Sequence, residues 1–181
     1  MLASVTQLVA AFDACFLSSF NTRLVGNAEE PLYLPATLDE PAKILFRLDY
    51  VSSALHEVSH WCIAGLERRR LEDYGYWYES DSRNLTTQKQ FEQVEVKPQA
   101  VECILHWSAG LEFRVSVDNL ALPEYDALPF KQAVMSQVGR YINDWTVPER
   151  ALLFSRYLLA QRHPNKDFSE FLKQKYEDHC R

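Results

Sequence analysis

The sequence predicts an α+β fold, rich in helix and built as one domain over residues 1–181. Three observations carry this. Apolar residues recur at three- and four-residue steps through most of the chain. Strand signals are few and short: the extended Leu32-Tyr33-Leu34, the alternating Phe113–Val117 and, on one reading, Tyr74–Tyr78. A chain of 181 residues, 47 % of them hydrophobic, can bury a sizeable core, and no repeat, low-complexity tract or linker marks a boundary.

The elements follow in order. Val5, Leu8, Val9, Phe12, Phe16 and Phe20 give an amphipathic helix over residues 3–20. Asn21–Leu34, with Gly26, Asn27 and Pro31, reads as a loop holding the short extended piece. Asp39-Glu40-Pro41 is a helix start, and the spacing of Ile44, Leu48, Val51, Leu55, Val58 and Cys62 predicts a helix over 42–64 that Gly65 stops. Thr87–Gln90 is a possible capping box for a short element ending at Val96, and Pro98 opens a second helix, Gln99–Ala109, ended by Gly110. Helices are predicted over Leu128–Ile142, from Pro148-Glu149 to Arg162, and over Phe168–Glu177.

Charge and cysteine usage narrow the class. A net charge of −6 argues against nucleic-acid binding through a broad basic face. Cys15, Cys62, Cys103 and Cys180 form no C-x-x-C pair and read as free thiols, which suits a reducing compartment. The N-terminus does not read as a signal peptide, and no apolar run is long enough for a membrane span. A cytoplasmic protein is expected, with no nucleic-acid or membrane partner.

The predicted helix over 42–64 carries His56-Glu57-Val58-Ser59-His60, an H-E-x-x-H motif. Residues four apart share a helix face, so both imidazoles can reach one metal ion at about 2.0–2.1 Å. Glu57 points roughly 100° around the helix, better placed for a metal-bound water than for the metal. The bland reading is a pair of surface histidines. A working site needs a third protein ligand from another element. Glu102 is the first candidate, Glu95 the second, and His106, one turn past Glu102, a third ligand or a supporting donor. With zinc, such a set is that of H-E-x-x-H peptidases, in which Glu57 takes a proton from the attacking water. With Fe(II), it is the facial triad of non-haem oxygenases. A third possibility is a binding module with a closed, structural metal site.

Two further stretches stand out. Tyr74, Tyr76 and Tyr78 with Glu79 and Asp81 combine aromatic faces and carboxylates, a wall suited to a cationic guest such as a lysine side chain or, more blandly, to sheet packing. Arg68-Arg69-Arg70 is either a solvated helix end or a patch for an acidic partner protein.

At these residues the sequence resembles the bacterial elongation factor P hydroxylase family. The segments that carry the resemblance are Phe20–Val25, Ala54–Gly65 around the H-E-x-x-H, Asp73-Tyr74-Gly75-Tyr76-Trp77-Tyr78, and Phe91–Ala100. The resemblance implies a non-haem metal monooxygenase acting on a protein substrate. That substrate is elongation factor P, whose β-lysyl-modified lysine is hydroxylated as the last step of its modification. It also implies a two-histidine, one-carboxylate site within a fold like that of zinc metalloproteases (a zincin-type core). His56 and His60 match the motif, Glu102 follows from spacing, and Glu57 is the candidate catalytic residue. The cofactor expected is a divalent metal, Fe(II), with dioxygen as co-substrate. The runner-up function is a zinc-dependent peptidase.

Overall fold

The computed structural model describes residues 4–73, 84–117 and 125–180. Helix α1 (Val5–Phe20) starts at Ser4, whose side chain accepts from the Gln7 amide, and ends at Asn21 in the left-handed conformation. Its apolar stripe behaves as the spacing predicts, with Val5, Leu8, Phe12 and Phe16 buried.

The expected loop after α1 is largely strand. β1 (Thr22–Ala28) is followed by β2 (Leu32–Leu34), the extended piece read from sequence, and by β3 (Ala42–Arg47). β3 is the middle strand, parallel to β1 and antiparallel to β2. Gly26 is required by this pairing, because a Cβ there would stand 2.7 Å from the Phe46 ring.

The helix predicted over 42–64 is therefore two elements. Ala42, Ile44 and Phe46 alternate inward as a strand, and α2 begins only at Val51 and runs to Ile63. A short apolar run fits both periods, and pairing on both edges of β3 decides between them. Leu48 shows the break: it is 49 % exposed at a positive φ of 55°. α2 stops beside Gly65 as expected, with Ala64 as its C-cap, though Gly65 is not in the left-handed conformation. Arg150 covers this end, its Nη2 donating to the carbonyls of Trp61, Cys62 and Ala64 at 2.8, 3.1 and 2.5 Å. These are among the carbonyls that a helix end leaves without intrahelical donors.

The two elements expected between Thr87 and Ala109 are one helix, α3 (Leu85–Ala109), capped by Asn84, which accepts from the Thr86 and Thr87 amides. Pro98 lies inside it rather than opening it. A proline interior to a helix removes one backbone hydrogen bond; here the ring is buried, and every residue from Pro98 to Ala109 is buried with it. Gly110, at φ 78°, ends α3 as predicted. Helices α4 (Leu128–Asn143), α5 (Glu149–Arg162) and α6 (Phe168–Cys180) match expectation to within a few residues.

Phe113–Val117 is not a strand. Its backbone pairs instead with side chains of α3: the Gln99 amide accepts from Ser116 N at 3.1 Å and donates to Ser116 O at 2.8 Å, and Gln88 donates to Val117 O at 2.9 Å. The alternation signals an extended chain but cannot say what covers its polar edge.

The architecture is thus helix-rich α+β with a small mixed sheet. α1 packs on β1, α2 packs on β3 and α3, and α3 also meets α4, α5 and α6. Phe12 and Phe16 (α1), Trp61 (α2) and Phe154 (α5) form an aromatic cluster with ring centroids 4.9–5.7 Å apart. Each phenylalanine so buried contributes about 1.5–3 kcal/mol, so the cluster fixes the helix that bears both histidines. Among the described residues, no helix is long and apolar enough to cross a membrane.

Candidate metal centre

α2 sets His56 and His60 one turn apart, and their Nε2 atoms stand 3.1 Å from each other. α3 brings Glu95 against them, with Oε1 3.2 Å from His60 Nε2 and Oε2 3.9 Å from His56 Nε2. His56, His60 and Glu95 each offer one ligand atom within 4.8 Å of the others. Glu102 sits behind this group, its Oε2 2.9 Å from Nδ1 of His56, the ring nitrogen opposite the one facing His60. His106 is buried, its Nδ1 donating to the Glu102 carbonyl at 3.0 Å and its ring against Phe113. Glu57 lines a pocket beside His60. Tyr74, Tyr76, Tyr78, Glu79 and Asp81 lie outside the described residues.

The reason α3 can present these groups is a polar seam in a buried helix. Gln88, Glu92, Glu95, Gln99, Glu102 and His106 recur at alternating four- and three-residue steps and are all buried. Buried polar groups are costly unless bonded, and here each has a partner. Gln88 and Gln99 hold the 116–117 backbone, Tyr125 donates to Glu92 at 2.9 Å, and Glu95 and Glu102 meet the histidines. This heptad-like spacing is legible in the sequence and singles out Glu95 as readily as Glu102. Apolar periodicity hides it, because the same helix also buries Val101, Ile104 and Leu105 on its other sides. Nothing in the sequence flags Arg150, which acts on α2 from 86–89 residues away.

The electrostatics favour a cation. Burial alone would lower the His56 pKa, but the hydrogen bond it donates to Glu102 and the charges of Glu102, Glu57 and Glu95 prevail and hold it at about 10. Burial pushes Glu95 up, yet the His60 bond and the two imidazoles outweigh it and keep its carboxyl below the usual range. Glu57 goes the other way: burial raises it, and the histidines only partly offset this. Burial lowers His106. Three carboxyl groups thus crowd two imidazoles.

The donor set fits a divalent ion. Bonds of about 2.1 Å at angles of about 90–109° put neighbouring donor atoms roughly 3.0–3.4 Å apart, and the closest separations here are 3.1 and 3.2 Å. Glu102 supplies the outer partner that fixes a ligating imidazole's tautomer and ring orientation. The adjoining pocket, lined by Tyr33, Glu57, His60, Trp61, Arg69 and Asp73, has a volume of about 40 Å³. That is room for a few water molecules.

Two imidazoles and a carboxylate on facing helices define a class: the donor set of metal-dependent hydrolases and non-haem oxygenases. Comparison with known proteins resolves it further. The chain belongs to the elongation factor P hydroxylase family, whose sequence pattern matches residues 11–170. It is 49 % identical over 155 residues to the Elongation factor P lysine hydroxylase of Haemophilus influenzae, covering 85 % of this chain and 86 % of the relative.

Proposed function

We propose that this chain hydroxylates a lysine of elongation factor P that already carries a β-lysyl group, using a divalent metal, Fe(II), held by His56, His60 and Glu95, with dioxygen as co-substrate. The observation that carries the reading is the convergence of those three side chains, from two helices, in a member of a hydroxylase family. In this assignment Glu95 takes the ligand position for which spacing favoured Glu102. Glu102 accepts from His56 Nδ1–H and leaves Nε2 free to ligate. His106 braces the Glu102 turn of α3 through that residue's carbonyl. When bound, such an ion supplies the redox chemistry and open positions that dioxygen activation needs.

The protein's own groups do the rest. Glu57, half-buried beside His60, presents a carboxyl to the pocket where a lysine ammonium would enter. Its role is then to orient the cation rather than to activate water. Tyr74, Tyr76, Tyr78, Glu79 and Asp81 are assigned to the approach to this pocket by their chemistry. The H-E-x-x-H helix facing a carboxylate-bearing helix is read as a zincin-like core in one domain over residues 1–181. A translation factor as substrate supports a cytoplasmic location.

The test is complementation. In cells lacking their own hydroxylase, this chain should add one oxygen atom to elongation factor P, read by mass spectrometry. His56→Ala, His60→Ala and Glu95→Ala should each abolish the gain. A clipped factor would support a peptidase instead, and full hydroxylation by Glu95→Ala would remove the proposed ligand set.

A further inference from the structure

The arginine triplet does not present three equivalent charges. Arg68 pairs with Asp73, and Arg70 makes a two-pronged pair with Glu67 at 3.0 and 3.1 Å. Arg69 has no carboxylate partner among the described residues, and its Nε is buried without an acceptor. Arg150 is in the same condition at Nε, although its Nη2 is taken by the α2 carbonyls. Burial lowers the Arg150 pKa, and the like charge of Arg69 adds to the effect. Arg150 is nonetheless well held, by those carbonyls and by the Trp61 ring 4.7 Å beneath its guanidinium, so Arg69 is the half-buried cation with a donor to spare.

A pocket of about 290 Å³ opens at Arg69. Phe20, Pro35 and Leu66 line it on the apolar side, and Thr22, Arg69 and Arg70 supply its polar groups. Its size lies near the lower end of small-ligand pockets, about 300–1,000 Å³. It shares Tyr33 and Arg69 with the pocket that reaches Glu57 and His60. Of the two arginines in its lining Arg70 is already paired with Glu67, which leaves one planar fork, and one fork matches a carboxylate on a small organic body better than a phosphate, which asks for more donors.

We propose that this pocket binds a small organic carboxylate, gripped by the Arg69 guanidinium, against the wall it shares with the metal centre. That is where a co-substrate of the reaction would sit. None of the residues named is a proposed metal ligand, so binding here stands or falls apart from the metal reading.

The test uses the full-length protein, metal-free after chelation and again metal-loaded, titrated calorimetrically with succinate and with uncharged succinamide. Saturable succinate binding is expected in both forms, with none for succinamide. Arg69→Gln should weaken it by about tenfold or more, the loss of one charge-assisted pair. Arg69→Lys, which keeps the charge and loses the fork, should fall between. Arg69 Nε has no acceptor among the described residues, and circular dichroism checks that both variants are folded. Absence of saturable binding would overturn the proposal, as would binding unchanged by Arg69→Gln, or binding only to the metal-loaded form. An Arg69→Gln defect confined to association with elongation factor P would also overturn it, making an acidic side chain of the protein partner the occupant.

Discussion

Replacing Glu102 by Gln and Glu95 by Gln separates the two roles that spacing alone leaves open. Glu102 touches His56 at Nδ1, 2.9 Å away, and is 7 % exposed. Glutamine there keeps the length and an oxygen that can still accept from Nδ1–H. What is lost is the charge on the acceptor. A hydrogen bond to a charged group contributes about 1.5–3 kcal/mol and a neutral one about 0.5–1.5. The difference, roughly 1–1.5 kcal/mol, is about a tenfold loss of metal affinity. That is the low end of the roughly 10–100-fold cost of removing an outer partner of a ligand. Glu95→Gln deletes the anionic ligand itself and should cost more than about a hundredfold, beyond the range for outer partners. Competition between the protein and a chromophoric chelator for Co(II) or Zn(II) measures both. The reverse order, with Glu102→Gln abolishing binding and Glu95→Gln sparing it, would refute the reasoning.

Other perturbations reach the rest of the structure. His56 sits at about 10 in the metal-free fold, above its ordinary 6.5. Its contribution to stability is therefore complete below that ordinary value and is lost as pH rises through the folded one. The Tm of the metal-free protein should fall between about pH 7 and pH 10, less steeply in Glu102→Gln; a flat profile would count against the His56–Glu102 pair. The same protonation means that zinc must displace a proton from His56 near neutral pH, seen as binding heats that vary with buffer ionisation enthalpy; buffer-independent heats would contradict it. Phe154→Ala, emptying a fully buried site that touches Phe12 and Phe16, should cost about 3–5 kcal/mol in urea unfolding. A loss under about 1 kcal/mol would mean that the cluster does not anchor α2. Gln99→Ala should speed amide exchange at Ser116, whose N–H and carbonyl the glutamine holds, and unchanged exchange would discard the clamp.

How much of this was legible beforehand depends on what each element answers to. α1, α4, α5 and α6 answer to local periodicity, and the sequence reading places them well. Ala42–Arg47 answers to its neighbours: Ile44 and Phe46 suit either period until β1 and β2 pair on both sides. Pro98 punctuates the sequence as a helix start, yet the packing of α3 against α2, α4, α5 and α6 carries the helix through it. At the site, the histidine pair follows from one helical turn. The third member depends on how two helices meet, which no local pattern encodes. Glu95 and Glu102 are seven apart on one seam, so both face α2; only the relative placement of the helices puts Glu95 at the Nε2 atoms and Glu102 behind His56. Arg150 was readable as a charge but not as the cover of the α2 end, because 86–89 positions separate it from the carbonyls it holds.

The most direct test of the ligand set is anomalous X-ray scattering from crystals of this protein grown with Fe(II) under anaerobic conditions. The account predicts one strong peak about 2.0–2.2 Å from Nε2 of His56, Nε2 of His60 and a Glu95 oxygen, with Glu102 still on His56 Nδ1. A peak bound by Glu102 instead, or none between the two helices, would contradict it.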